Sequence, residues 1–106
     1  PDGLFCANDT AAVSAIRCAK SRGFKIPDDI AIIGFNNDPI CEIIDPPLSS
    51  VHHPAIEMGR AAVDQALTLL GIEKEELSSS RVTLETHVVV RASSNRRNKV
   101  PEQVSV

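Results

Sequence analysis

Leu4-Phe5-Cys6-Ala7-Asn8-Asp9 is a short apolar run closed by two polar residues, and it is answered further on by Ile30-Ala31-Ile32-Ile33-Gly34-Phe35-Asn36-Asn37. No polar residue interrupts the first run, as expected of a strand buried on both faces. The second run is β-branched and ends at Gly34, which predicts another buried strand. Between them Ala12, Val13, Ile16 and Ala19 recur at helical spacing. Asn8 and Asp9 are placed to cap the first turn, and Gly23 stands where a left-handed residue closes a helix, so a helix is predicted over residues 10–22. Strand, helix and strand in succession make a βαβ unit with a right-handed crossover and parallel strands. The loops after the two strands, 7–9 and 35–38, then open on one edge, the edge where α/β sheets bind ligands.

Outward from this unit, residues 36–47 are expected as a loop punctuated by Asp38-Pro39 and Asp45-Pro46-Pro47, and residues 48–53 as an extended connector ending at Pro54. Ile56, Gly59, Val63, Leu67 and Leu70 share one face of a helix predicted over 55–70, with Pro54 near its start and Gly71 at its end. Residues 72–80 are acidic and then serine-rich, a solvated linker. Val82, Leu84, Val88, Val89 and Val90 support one strand or two short ones. Residues 95–106 form a polar tail that is expected to be disordered.

Bulk composition narrows the function classes. The 106 residues are 42% apolar and 24% charged, the size and balance of one small globular domain. Aromatic residues are only 3%, so aliphatic side chains must fill the core. A net charge of −3 supplies no general field for nucleic acid, and the chain by itself is not expected to bind DNA. Cys6, Cys18 and Cys41 are an odd number at wide spacing with no C-x-x-C pair, which favours reduced thiols in the cytoplasm. No stretch reads as a membrane span or a signal peptide, although the chain opens at Pro1 and an upstream portion could precede it. No nucleophile elbow, P-loop, zinc-binding helix or dinucleotide fingerprint is present. Ser49-Ser50 beside His52-His53 is the nearest approach to a nucleophile and base, and no third group is there to orient them. The expectation is a protein that is not an enzyme and takes no cofactor and no metal.

Several strings in fixed order carry a resemblance: residues 1–9, residues 26–37, then Pro46-Pro47-Leu48-Ser49-Ser50-Val51, Glu57-Met58-Gly59-Arg60-Ala61-Ala62 and Val89-Val90-Arg91-Ala92-Ser93-Ser94. Together they resemble the LacI/GalR family of bacterial transcription regulators. The resemblance implies an α/β fold: a parallel-sheet sandwich, part of a two-lobed periplasmic-binding-protein-like (type I) architecture. Residues 1–94 would be the C-terminal portion of the effector-binding domain, with the chain crossing between lobes near 51–54. The DNA-binding headpiece would lie upstream. A small polar effector, a sugar or sugar derivative, would occupy the cleft between lobes and bias their orientation. A periplasmic sugar-binding protein of a transport system has the same fold and is the alternative; three free cysteines speak against it.

The resemblance also assigns residues. Asn8 matches an effector-facing Asn, and it is equally suited to capping the helix. Asn36 stands where the family more often carries an Asp, so an amide that donates as well as accepts replaces a carboxylate; a turn-forming Asn is the plainer reading. His53 matches a ligand-contacting position at the crossing, Phe35 is core or cleft wall, and Asp9 reads as a cap. His52 and His53 are neighbours on an extended segment and point to opposite faces, which argues against a shared metal. Val13 and Arg17 on the first helix, with Ile40, Ile43 and Ile44 in the loop, are the expected homodimer contact, because aliphatic clusters exposed on loops mark partner surfaces.

Overall fold

The computed structural model describes residues 2–71 and 81–96. Its elements are β1 (Gly3–Phe5), α1 (Asp9–Ser21), β2 (Ala31–Ile33), α2 (Ile40–Ile43), β3 (Ser50–His52), α3 (Ala55–Leu69) and β4 (His87–Val89). They fall into two compact units, the first made of residues up to 52 with those from 87 on, the second of residues 53–86. The linker 72–80 and positions 97–106 of the tail lie outside the described residues.

The first unit is built on the βαβ arrangement. β1 and β2 pair in parallel, with Gly3 opposite Ala31, Leu4 opposite Ile32 and Phe5 opposite Ile33. Helix α1 starts because Asn8 is extended and its side chain accepts the Ala11 N–H at 2.8 Å. It stops because Gly23 turns left-handed at φ 87°, letting Phe24 N–H reach Ala19 O at 3.0 Å and Gly23 N–H reach Lys20 O at 3.0 Å. Ala12 and Ile16, one turn apart on α1, are fully buried with Ile32, Cys41 and Leu48. β3 lies beside the exit of β2, where Gly34 N–H donates to Ser49 O and Asn36 N–H to Val51 O, both at 2.9 Å. β4 pairs antiparallel with β3, Ser50 opposite Val89 and His52 opposite His87.

Four local expectations need correction. β1 begins one residue earlier than the apolar run suggests, and all three of its residues are exposed, Phe5 by 64%, because among the described residues β2 is its single strand neighbour. The 36–47 segment is not all loop: Pro39 at φ −54° seeds α2, closed by Ile44 N–H to Ile40 O at 3.0 Å. The connector 48–53 carries β3, and strand structure in 82–90 is limited to β4. Asp9 does not cap; it is fully buried, and Asn8 does the capping.

In the second unit α3 follows Pro54 and ends before Gly71, which is left-handed at φ 74°. On its apolar face Ile56, Val63 and Leu70 are exposed among the described residues. Met58, Ala61, Ala62 and Gln65 line a shallow groove with Arg81, Val82 and Leu84.

Gly34 is the tightest point of the first unit. A Cβ there would run into the Asp9 carboxylate and stand 3.2 Å from both Ala12 Cβ and Asp9 Cα. Gly34→Ala is therefore expected to destabilise the protein by about 1–3 kcal/mol, the usual cost of overpacking, read as a lowered Tm in thermal denaturation.

Candidate functional site

Because β1 and β2 are parallel and in register, Asn8 and Asn36 each follow their strand by the same three residues beyond the Phe5–Ile33 pair. The two amides therefore emerge on one sheet edge. Phe35, half-buried, precedes Asn36 there. His53 opens the second unit.

The backbone at this edge is unusual. Asn36 and Asn37 both have positive φ, 119° and 57°. Asn36 Nδ2 donates to Asp38 Oδ1. Asn37 donates its N–H to Ser50 Oγ at 2.9 Å and lies with Nδ2 3.2 Å from His52 Nδ1. Arg91 Nη2 donates to Asn37 Oδ1 at 2.8 Å, and Nη1 to Leu48 O at 2.7 Å. An amide oxygen held by a guanidinium turns the amide nitrogen toward His52, so His52 Nδ1 is the acceptor. Beneath the turn, Asp9 accepts the Asp38 N–H through Oδ2 and the Ser50 hydroxyl through Oδ1, each at 2.7 Å.

Asp9, Asn37, Ser50 and Arg91 were not among the candidates drawn from the sequence. Their signal is faint: an Asp after an Asn at a helix start reads as a second cap, and an Arg after a valine strand reads as surface. The serines have structural duties, since Ser49 Oγ donates to Arg91 O at 3.0 Å and Ser50 Oγ to Asp9. His52 faces its cross-strand partner His87, ring centroids 5.0 Å apart, rather than His53. Among the described residues no group of three or more His, Cys, Asp or Glu is placed to hold a metal. Among the same residues no helix is long and apolar enough to cross a membrane.

On the opposite side of α1, Val13, Arg17, Ile40 and Ile44 share one surface recess with Ile16, Lys20 and Asp45. Lys20 Nζ ties α1 to the end of α2 through Asp45 O at 2.9 Å. Ile43 stands clear at 75% exposure, whereas Ile44 and Val13 lean partly on the core.

The family model of the periplasmic binding protein-like domain matches residues 1–94. The lactose operon repressor of Rhizobium radiobacter is 35% identical over 96 residues, covering 91% of this chain and 82% of that one. The chain belongs to the LacI/GalR family. The regulator NtdR of the NTD biosynthesis operon in Bacillus subtilis is 33% identical over 89% of the chain, of which this chain spans 28%. Two solved structures superpose on it: a transcriptional regulator CelR in complex with cellobiose (TM-score 0.74, 33% identity, 88% of this chain and 28% of that one), and a LacI family regulator from Lactobacillus casei with bound sucrose (TM-score 0.73, 32% identity, 89% and 34%). The α/β, periplasmic-binding-protein-like architecture expected from the sequence is thus the architecture of the family, and these relatives are transcription regulators rather than enzymes.

In this LacI/GalR domain the three thiols are free and differ in access: Cys18 exposed, Cys6 half-buried, Cys41 buried. Burial, then the neighbouring Asp9 carboxylate, push the Cys41 thiol from 9.0 up to about 11, against the pull of Arg91 and Ser50. Cys18 is expected to react first with a thiol reagent at neutral pH, and Cys41 only on unfolding. Since the folded Cys41 holds its proton longer than the unfolded one, its contribution is intact below 9.0 and is lost as pH rises toward about 11. A pH series of Tm on wild type and Cys41→Ala measures this, the variant lacking that part of the alkaline decline.

Proposed function

We propose that this chain is the effector-sensing and dimerisation portion of a LacI-type DNA-binding transcription regulator. The observation that carries the proposal is the emergence of the Asn8 and Asn36 amides on one edge of a parallel strand pair. Amides that donate and accept suit the hydroxyls of a sugar or sugar derivative, and relatives solved with sucrose and cellobiose support that ligand class. Phe35 supplies apolar wall and His53 is a further ligand contact; the lobe crossing falls near residues 51–54. A ligand held here acts by preferring one conformation of the regulator, and its differential affinity bounds the response. DNA is contacted through a headpiece outside this chain, in the cytoplasm, and neither catalysis nor a cofactor is assigned. The regulator relatives favour this reading over a transport protein of the same fold.

The test starts from a thermal-shift screen of mono- and disaccharides against the full-length protein. Asn8→Ser keeps the helix cap and Asn36→Gly relieves a positive φ, so both variants remove the amide while sparing the fold. Calorimetry with the sugar that the screen selects is expected to show a loss on the order of 1–3 kcal/mol for each. Unchanged affinity in both returns them to capping and turn duties.

The dimer surface has its own test. Val13, Arg17, Ile40 and Ile44 share one recess, Ile43 stands beside it, and a two-fold contact uses each residue twice. Ile44→Asp in the full-length protein is expected to yield monomers in sedimentation with helical circular dichroism retained. A persistent dimer places the contact elsewhere, and unfolding makes Ile44 a core residue.

A further inference from the structure

Asn36 and Asn37 hold consecutive positive φ angles, 119° and 57°. Asn tolerates the second value, but the first lies outside the left-handed well and is strained for any residue with a Cβ. Such a backbone persists only where its surroundings hold it. Here the restraint converges on one group. Asp9 Oδ2 takes the Asp38 N–H and Asp9 Oδ1 takes the Ser50 hydroxyl, each at 2.7 Å. Ser50 has a single hydroxyl proton and gives it to Asp9, so a lone pair of the same oxygen is left to accept the Asn37 N–H at 2.9 Å. One carboxylate thus holds residue 38 directly and residue 37 through one hydroxyl.

Asp9 is fully buried, and the missing Cβ of Gly34 makes its space. It is also the first residue of α1, next to Asn8. The carboxylate therefore fixes the turn carrying Asn36 to the helix start carrying Asn8. A carboxyl group fits this place and an amide does not, because an amide accepts on one side and sets N–H groups against the other donor.

We propose that Asp9 is a positioning residue, a latch that holds the strained Asn36–Asn37 turn so that the Asn8 and Asn36 amides are presented together. Its functional meaning rests on the reading of this edge as the effector site; the latch itself is a statement about the turn. Without Asp9 the turn relaxes toward negative φ, and the Asn37 and Asp38 N–H groups open to solvent.

Residue-resolved amide hydrogen exchange on the full-length protein tests this with no ligand present. In Asp9→Ala, exchange at Asn37 and Asp38 is expected to rise by about tenfold or more while Ala12 and Ile16 keep wild-type protection. Ser50→Ala breaks only the Asn37 branch, so Asn37 should speed up more than Asp38; this variant also carries the test if Asp9→Ala does not fold. Asp9→Asn should fall between wild type and Asp9→Ala. Exchange that is unchanged at both positions in Ser50→Ala and Asp9→Asn overturns the latch. So does an increase shared equally by α1, which marks Asp9 as a general stabiliser. A protein that binds no sugar can still pass this test, and failure here leaves the sugar reading standing.

Discussion

The turn that carries Asn36 and Asn37 depends on a buried carboxylate, that of Asp9. Asp9 is sealed under the turn at residues 36–38, and a buried charge is tolerable only when its acceptors are filled. The Asp38 N–H and the Ser50 hydroxyl fill them. Those two bonds join three segments at once: the start of α1, the loop between β2 and α2, and the first residue of β3. Apolar burial alone would not do this, since among the described residues the buried apolar core is only five side chains. Hydrogen bonds add the direction that hydrophobic contact lacks.

A second polar tie runs from the far end of the chain. Arg91, just past β4, reaches Leu48 O and Asn37 Oδ1, and its own N–H donates to Ser49 Oγ at 2.8 Å. Ser93 Oγ meets Ile32 O at 2.6 Å while Ile32 N–H meets Ser93 O at 2.9 Å, so residues 91–93 behave as an extra edge for β2. Arg96 extends the seam by donating to Pro27 O at 2.9 Å and to Asp2 O. Chain that leaves the first unit after β3 thus returns to close it, and the closing residues touch the same turn that Asp9 holds.

The sequence carried the βαβ unit, the limits of α1 and α3 to within a residue or so, and the shared edge of Asn8 and Asn36, because periodicity and capping are local properties. What it hid was tertiary. Asp9 reads as a cap at sequence level because Asp after Asn at a helix start ordinarily caps; its true partners lie 29 and 41 residues away. Arg91 likewise bonds across 43 and 54 residues, beyond the reach of any spacing rule. α2 went unseen because four residues after a proline carry too little periodicity to show a helix. Strand β1 looked fully buried since its composition is apolar, but burial depends on what packs against a strand, and composition does not report that.

The identity of residues 36 and 37 follows from the charges around them. Asp9, Asp38 and Glu42 bring three carboxylates to this corner, and Arg91 stands 3.9 Å from Glu42 and is bonded to Asn37. Carboxylates at 36 and 37 would add two like charges close to Asp38, which raises the energy of the ionised forms. They would also lack the N–H groups that Asn36 gives to Asp38 and Asn37 directs at His52. Amides relieve both problems, and Asn is among the residues that best tolerate positive φ. The amide at position 36 thus suits the turn itself. On the proposed reading of this edge as the effector site, a ligand there meets an amide that both donates and accepts, a pattern unlike the one a carboxylate offers.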